Sequence, residues 1–281
     1  MATGAAAARR RNYFSELAHL VWQSIRRLAR RPSHSRRAEA RRTMARRWVV
    51  LSALASVVIA PLMLLVDVPI IRMMPPRGTE SLWPVRIFTE FAKSTYVLWT
   101  LAGALLAVVI AMPRMRGMSR AVFAALSVRI QYLFLSVFVA MIFGEVLKWI
   151  AGRGRPFVGG EANAFNFAPF TGTPAYASLP SGHALAACAL AFAVSALWPR
   201  WRVAMWTFAI LSCASRVLLL AHHPSDVVAG ALTGVVAAML VRYWFAARRI
   251  GFKIGAGGVI APLEGPSWAA LKRVARRPFA P

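Results

Sequence analysis

The sequence predicts an all-α protein that crosses a membrane as a six-helix transmembrane bundle. Of its residues 58% are hydrophobic and the mean hydropathy is +0.55, whereas soluble domains hold about 45–50% apolar residues. Six apolar windows stand out, at residues 48–66, 95–112, 121–147, 181–198, 201–220 and 226–246. A helix needs roughly 20 residues to cross a hydrocarbon core of ~30 Å, so each window can span. Helices are predicted rather than open strands because lipid offers backbone groups no hydrogen-bond partners.

Basic residues predict which side of the membrane each link faces. They gather in residues 1–47, which hold thirteen arginines, in the links 113–120 and 199–202, and in the chain from Arg242 onward. All four places lie on one side if six spans alternate, and lysine and arginine favour the cytoplasmic side of short loops. Both termini are therefore predicted to be cytoplasmic. Topology and attraction to anionic lipid account for the net charge of +26, so no nucleic-acid partner is expected.

The chain divides into three parts: a basic cytoplasmic N-terminal segment (1–47), a six-span domain (48–246) and a basic cytoplasmic tail (247–281). The window 48–66 is not a removable signal peptide, because it begins after 47 residues and no cleavage site followed by a soluble domain comes after it. Within the N-terminal segment, residues 13–31 predict an interfacial amphipathic helix, with a disordered basic tail as the alternative. Its apolar face is formed by Phe14, Leu17, Val21, Ile25 and Leu28.

Three polar clusters are expected to meet on the outer, non-cytoplasmic side of the bundle. The first is KWIAGRGRPF, which places Lys148, Arg153 and Arg155 at the outer end of span three. Positive charge there runs against the positive-inside bias. Taken alone, this cluster has two explanations. Either Lys148 pairs with Glu145 and the arginines are solvated, or the cluster forms an anion site.

The second cluster is SLPSGHALAACAL, at the start of span four. Ser181 is predicted to be the N-cap of that helix, whose free N–H groups and partial positive charge favour an anion. Gly182 allows a ligand to approach the backbone closely. His183 follows in the first turn, where a histidine is either structural or reactive.

The third cluster is SRVLLLAHHPSD, between spans five and six. Arg216 has apolar residues on both sides, and ionisable residues inside a span are functional by default. Asp226 is one of two aspartates in the chain, the other being Asp67. A carboxylate four residues after His222 can fix that ring's tautomer and orientation, but composition alone does not rank His222 against His223.

Together the clusters favour a phosphate over a metal ion. Histidines and one aspartate could supply metal ligands, namely His183, His222, His223 and Asp226. Against a metal stand the many positive charges and the single carboxylate of the site. Arginine grips phosphate oxygens with two parallel hydrogen bonds. No metal and no other cofactor is expected.

These residues resemble the signature of the type 2 phosphatidic acid phosphatase superfamily of integral membrane lipid phosphatases. Its three blocks are Lys-x6-Arg-Pro, Pro-Ser-Gly-His and Ser-Arg-x5-His-x3-Asp. They stand here as KWIAGRGRP, PSGH and SRVLLLAHHPSD. Every defined position is present in order, and the resemblance extends over the six-span layout of residues 48–246 but not over either terminus.

The resemblance implies a phosphohistidine mechanism. His222 would attack phosphorus, Asp226 would orient its ring, and His183 would protonate the leaving oxygen and then activate water. The groups implied to hold the phosphoryl oxygens are Lys148, Arg155, Ser181, Gly182 and Arg216. A nucleophilic role for His223 would break the spacing of the third block on both sides, so His223 is expected to be a neighbour that lines the pocket.

The resemblance also implies a function: hydrolysis of a lipid phosphomonoester or diphosphate by a periplasm-facing active site in a bacterial inner membrane. Candidate substrates are lipid A, undecaprenyl diphosphate and phosphatidylglycerophosphate. The long outer loop, from Trp149 to Pro180, slightly favours lipid A. Two alternatives stand beside it. One is phosphotransfer to another lipid hydroxyl, and the other is a non-catalytic lipid-phosphate binder or transporter. The expected partners are a lipid phosphate and the bilayer, and no oligomeric state is predicted.

Overall fold

The computed structural model describes residues 12–255 and 258–265, with Ser267, Ala269, Lys272 and Val274. The first eleven residues of the N-terminal segment and most of the tail beyond Gly265 lie outside the described residues. The helices are α1 (Tyr13–Ala29), α2 (His34–Pro61), α3 (Asp67–Met73), α4 (Trp83–Glu90), α5 (Ser94–Ala111), α6 (Gly117–Ala151), α7 (Gly182–Leu197), α8 (Arg202–Leu218) and α9 (Pro224–Ala247). A π-helical turn, Leu62–Val66, joins α2 to α3.

Four of the six predicted spans lie in stretches long and apolar enough to cross a membrane. These stretches are Met44–Met73, Glu80–Arg114, Gly117–Ala151 and Pro224–Ala247. The windows 181–198 and 201–220 form the shorter helices α7 and α8, of 16 and 17 residues. At 1.5 Å per residue each is about 25 Å long, less than the hydrocarbon thickness. The short α7 is tolerated because it lies inside the bundle, where its ends meet protein rather than lipid.

Helix α7 is the centre of the bundle because its alanines allow neighbouring helices to approach closely. One buried cluster joins α6, α7 and α9 through Val137, Ala140, Leu185, Ala186, Ala189, Ala237 and Ala238. On α9, a Cβ at Gly230 would collide with the carbonyl oxygen of Ser181, and one at Gly234 with that of Leu185. These two glycines therefore set the distance between α7 and α9.

The ends of α6, α7, α8 and α9 that carry the polar clusters lie together, as the alternating topology predicts. Helix α6 ends at Gly152, whose φ of +52° is left-handed and whose missing Cβ makes room for the backbone of Ala168. The loop then turns back, and the N–H of Ser178 donates to the carbonyl of Arg153 at 3.0 Å. The N–H of Ser181 donates to the carbonyl of Asp226 at 2.9 Å, which joins the starts of α7 and α9.

Helix α1 confirms the helix predicted within residues 13–31 and shows how it docks on the bundle. Leu20 packs on a cluster of α5, α6 and the turn between them, and Gln131 donates to Ser24 Oγ at 2.7 Å. On another face apolar side chains stay exposed: Phe14 by 75%, Trp22 by 58% and Ile25 by 51%. A helix with one face on protein and an exposed apolar row suits the membrane interface; that position stays a prediction.

The all-α prediction missed one element, a two-stranded antiparallel hairpin of β1 (Phe252–Ile254) and β2 (Ile260–Pro262). It belongs to the segment predicted as a basic tail. Phe252 is wholly buried, with its ring edge-on to Tyr132 of α6 and in one cluster with Phe245 of α9. The hairpin forms because this aromatic contact holds the chain against the bundle after α9 ends.

Candidate active site

His222 lies in the short link between α8 and α9 and is 3% exposed. Its Nδ1 is 2.8 Å from the carbonyl oxygen of Ser178. Because a carbonyl only accepts, Nδ1 carries the ring proton and Nε2 keeps the lone pair. Burial lowers the pKa of His222 to about 3, with the negative charge of Asp226 opposing the shift. The ring is therefore neutral near pH 7, as a nucleophile requires.

Asp226 reaches His222 through Ser178 and not directly, which corrects the expectation that Asp226 itself orients the ring. Ser178 Oγ donates to Asp226 Oδ2 at 2.6 Å, while the Ser178 carbonyl accepts from His222. The same Oδ2 accepts from the backbone N–H of His223 at 2.9 Å. The reason is that Asp226 lies in the first turn of α9, and its carboxylate folds back to cap that helix in a capping box.

His223 is fully buried rather than lining an open pocket. It is the N-cap residue of α9, and its Nδ1 lies 3.1 Å from Asp226 Oδ2. Its contacts hold the carboxylate in place, which is a structural role. The prediction that His223 is not the nucleophile is in keeping with this position.

Arg153 is also fully buried, which corrects the explanation of this residue as a solvated arginine. Its Nη1 is 2.6 Å from Asp226 Oδ1 and its Nη2 is 2.7 Å from Asp67 Oδ2. Nε and Nη2 both donate to the carbonyl of Ala164. Sequence reasoning assigned Asp67 no role, although an aspartate at the end of the first apolar window was a signal that could have found it. No sequence signal indicated Ser178.

The cations predicted to hold phosphate lie close enough to His183 for their charges to act on it. The charges of Lys93, Lys148, Arg155 and Arg216 all act on its imidazole. Lys148 is paired with Glu145 at 2.7 Å, as predicted, and its Nζ lies 3.4 Å from where a Cβ on Gly182 would stand.

Arg155 and Arg216 form no ion pair with any acidic side chain among the residues that the structure describes. Burial, followed by the charge of Arg77, lowers the pKa of Arg155 from its ordinary value, yet a guanidinium stays charged at neutral pH. Arg216 Nη1 donates to Thr89 Oγ1 at 3.2 Å. Uncompensated guanidinium groups at the end of a bundle favour an anionic ligand.

Four buried polar atoms of the site have no hydrogen-bond partner within the described part of the chain: Ser181 Oγ, His183 Nε2, Arg216 Nε and His223 Nε2. Ser181 is the N-cap residue of α7, as predicted, but its hydroxyl makes no capping hydrogen bond. A buried polar group without a partner costs about 1–3 kcal/mol. An anion with several acceptor oxygens would satisfy the hydroxyl and the guanidinium N–H together.

The residues fit a metal ion poorly. Both buried aspartates are already engaged by Arg153, and a cation would have to enter beside several positive charges. The described residues contain no group of three or more His, Cys, Asp or Glu placed to hold a metal. The expectation that no cofactor is needed stays a prediction.

The structure is thus a mostly helical bundle with apolar helices long enough to cross a membrane, and a cation-lined site that holds His183 and His222 lies at one end of it. Residues 129–250, less than half of the chain, match the model of the PAP2 superfamily, and this segment is similar to that superfamily. The resemblance stated from the three sequence blocks is therefore confirmed.

Curated relatives match about half of the chain. The lipid A 1-phosphatase of Rhizobium johnstonii is 37% identical over 145 residues, 52% of this chain and 56% of the relative. That of Rhizobium etli is 37% identical over 127 residues, 45% of this chain and 55% of the relative. The undecaprenyl-diphosphatase of Sulfolobus acidocaldarius is 34% identical over 110 residues, which are 36% of this chain and 48% of the relative. The chain thus spans about half the length of these relatives. No solved structure gives a significant match.

Proposed function

We propose that the protein is a lipid phosphatase that hydrolyses a phosphomonoester or diphosphate through a phosphohistidine on His222. The observation that carries the proposal is the neutral His222 ring, with its proton held on Nδ1 by Ser178, in a site where Arg155 and Arg216 form no ion pair within the described structure. That arrangement leaves Nε2 free to attack phosphorus. The match of residues 129–250 to the PAP2 superfamily and the names of the relatives support the same activity.

The proposed reaction has two displacements at phosphorus. His222 Nε2 forms a bond to phosphorus as the bond to the lipid oxygen breaks, and His183 gives a proton to that oxygen. His183 then takes a proton from water, whose oxygen displaces His222 and releases inorganic phosphate. Lys148, Arg155 and Arg216 stabilise the charge on the phosphoryl oxygens, with Ser181 Oγ and the Gly182 N–H as further donors. Donors placed in advance of the reaction lower its barrier, each by ~3–4 kcal/mol in well-studied sites.

The proposed substrate belongs to the lipid A class, in accord with the names of the two Rhizobium relatives. Apolar grooves of about 570 Å³ and 620 Å³ flank α5, and Glu90–Lys93 and Glu145–Lys148 pairs adjoin them. Because the charges of Lys93 and Lys148 also act on His183, acyl chains in these grooves would leave a phosphate near the site.

We further propose six spans, including the short α7 and α8, cytoplasmic termini and a periplasmic site in a bacterial inner membrane. The distribution of basic residues supports this orientation.

The test is release of inorganic phosphate by the purified protein in detergent with EDTA. The panel is lipid A, undecaprenyl diphosphate, phosphatidylglycerophosphate and phosphatidic acid, and release is expected to be fastest on lipid A and unaffected by EDTA. Tight binding of these lipids without release would replace the phosphatase with a binder. Phosphate recovered on a second lipid would indicate a transferase, and activity restored only by added metal would overturn the metal-free mechanism.

Removing the Ser178 hydroxyl is expected to slow the reaction without removing the carbonyl that accepts from His222. Ser178→Ala should lower kcat by roughly 10- to 100-fold, the range of one hydrogen bond to a charged group. Steady-state kinetics on the best lipid of the panel measures it. Ser136→Ala is the matched control, since that buried serine donates to the Tyr132 carbonyl of its own helix. Equal kcat values for the two variants would contradict the bridging role of Ser178.

A further inference from the structure

We propose that Asp67 and Arg153 are positioning residues that set the charge behind His222, acting through Asp226 and Ser178. The inference rests on the proposed function and adds residues to it. Asp67 lies on α3, outside the segment 129–250 that matches the superfamily. Arg153 stands at an undefined position of the Lys-x6-Arg-Pro block.

The guanidinium of Arg153 is shared between two carboxylates. Nη1 donates to Asp226 at 2.6 Å and Nη2 to Asp67 at 2.7 Å. Ser225 strengthens the link, because its N–H donates to Asp67 Oδ1 at 2.9 Å and its Oγ donates to Asp67 Oδ2. Arg153 also donates to Ser225 Oγ at 2.6 Å. The contacts tie α3, the loop after α6 and the start of α9 into one rigid unit.

This unit is completely enclosed, since Asp67, Arg153, Ser225 and Asp226 are all 0% exposed. Electrostatic interactions are stronger in such an interior than in water, because little solvent screens them. One guanidinium between two carboxylates leaves one negative charge uncompensated. Ser178 connects that charge to the nucleophile: its Oγ donates to Asp226 and its carbonyl accepts from His222.

The negative charge has a task in the proposed reaction. When Nε2 of His222 bonds to phosphorus while Nδ1 keeps its proton, the ring gains positive charge. A carboxylate behind the ring stabilises that charge, as a buried aspartate does for the catalytic histidine of serine proteases. Asp67 keeps Asp226 available for this purpose, because it takes half of the hydrogen-bonding fork of Arg153.

Asp67→Asn removes this sharing with little change of shape. Arg153 then belongs to Asp226 alone, the pair is neutral, and Asp226 becomes a weaker acceptor for Ser178. We expect kcat and the rate of phosphoenzyme formation to fall together by roughly 10- to 100-fold, the effect of one hydrogen bond to a charged group. KM should stay within about threefold, because Asp67 does not contact the substrate.

The control for loss of a carboxylate near the same end of the bundle is Glu80→Gln. Glu80 is exposed in the short turn before α4, so its variant should match the wild type. A loss of kcat in both variants would point to the general field of the bundle end and overturn a specific role for Asp67.

The experiment is a double-mutant cycle of Asp67→Asn and Ser178→Ala. Gel filtration and far-UV circular dichroism measure the folded fraction of each variant, and kcat is expressed per folded molecule. Residues in one relay are non-additive, so the double variant should lose less than the product of the two single losses. If Asp67 had a purely structural role, the loss of kcat in the double variant would equal the product of the two single losses, or the folded Asp67→Asn variant would keep the kcat of the wild type. Either result overturns the inference. If Asp67→Asn does not fold, Arg153→Lys takes its place in the cycle, since a lysine lacks the fork that serves two carboxylates. A wild type that releases no phosphate would sink the proposed function, whereas an active wild type matched by Asp67→Asn would sink only this inference.

Discussion

Replacing His222 with alanine is expected to lower kcat/KM for lipid phosphate by about 10⁴-fold or more, the order seen when a catalytic nucleophile is removed. The loss is large because no other described group combines a neutral ring, a lone pair and the fixed orientation given by Ser178. The variant should keep its fold, since the side chain makes its hydrogen bonds through Nδ1 alone within the described structure. Phosphate release and gels of alkali-quenched samples, which preserve an alkali-stable, acid-labile phosphoenzyme, measure the effect.

His183→Ala separates the two histidines. An aryl phosphate has a leaving group that departs without a proton, so general-acid help contributes little on it. His183→Ala should therefore still form phosphoenzyme from an aryl phosphate and then hydrolyse it slowly. His222→Ala should form none from either substrate. A labelled phosphoenzyme in His222→Ala would move the nucleophile elsewhere, with the neighbouring His223 the first residue to test.

Gly234→Ala is expected to destabilise the bundle by ~1–3 kcal/mol, the usual cost of forcing extra volume into a packed interior. The new Cβ would overlap the backbone carbonyl of Leu185 on α7, and a backbone atom does not rotate away as a side chain does. Gly230→Ala meets Ser181 in the same way, so it should also reduce activity by separating Ser181 from Asp226. Thermal unfolding in detergent and phosphate release measure the two effects.

Gly103→Ala on α5 is the matched control. A Cβ there has no atom within 4 Å, and alanine favours a helix over glycine by about 1 kcal/mol. This variant should therefore be as stable as the wild type or more so, with unchanged activity. If Gly234→Ala unfolds at the same temperature as Gly103→Ala, the close approach of α7 and α9 is not what those glycines provide.

Local features of the chain were enough to select the candidate residues, because each polar block lies on one short segment. The spacing from Ser215 and Arg216 to Asp226 distinguished His222 from His223, and the structure then showed His223 buried as a helix cap. Hydropathy predicted the helical class for a similar reason, since apolar length is a property of a contiguous window. It predicted two spans longer than the helices found, because an apolar window also includes residues of the turns that adjoin a helix.

The connections between the blocks depended on pairs far apart in the chain. Arg153 and Asp67 are 86 residues apart, and His222 and Ser178 are 44 apart. No periodicity links such pairs, so the sequence left Arg153 either in solvent or in an anion site and indicated no role for Asp67 or Ser178. The sequence alone determined which residue types lie at the end of the bundle and the candidate chemistry. Only the packing of α3, the long outer loop and α9 decided which carboxylate faces which cation, because long-range contacts exist only once helices have met.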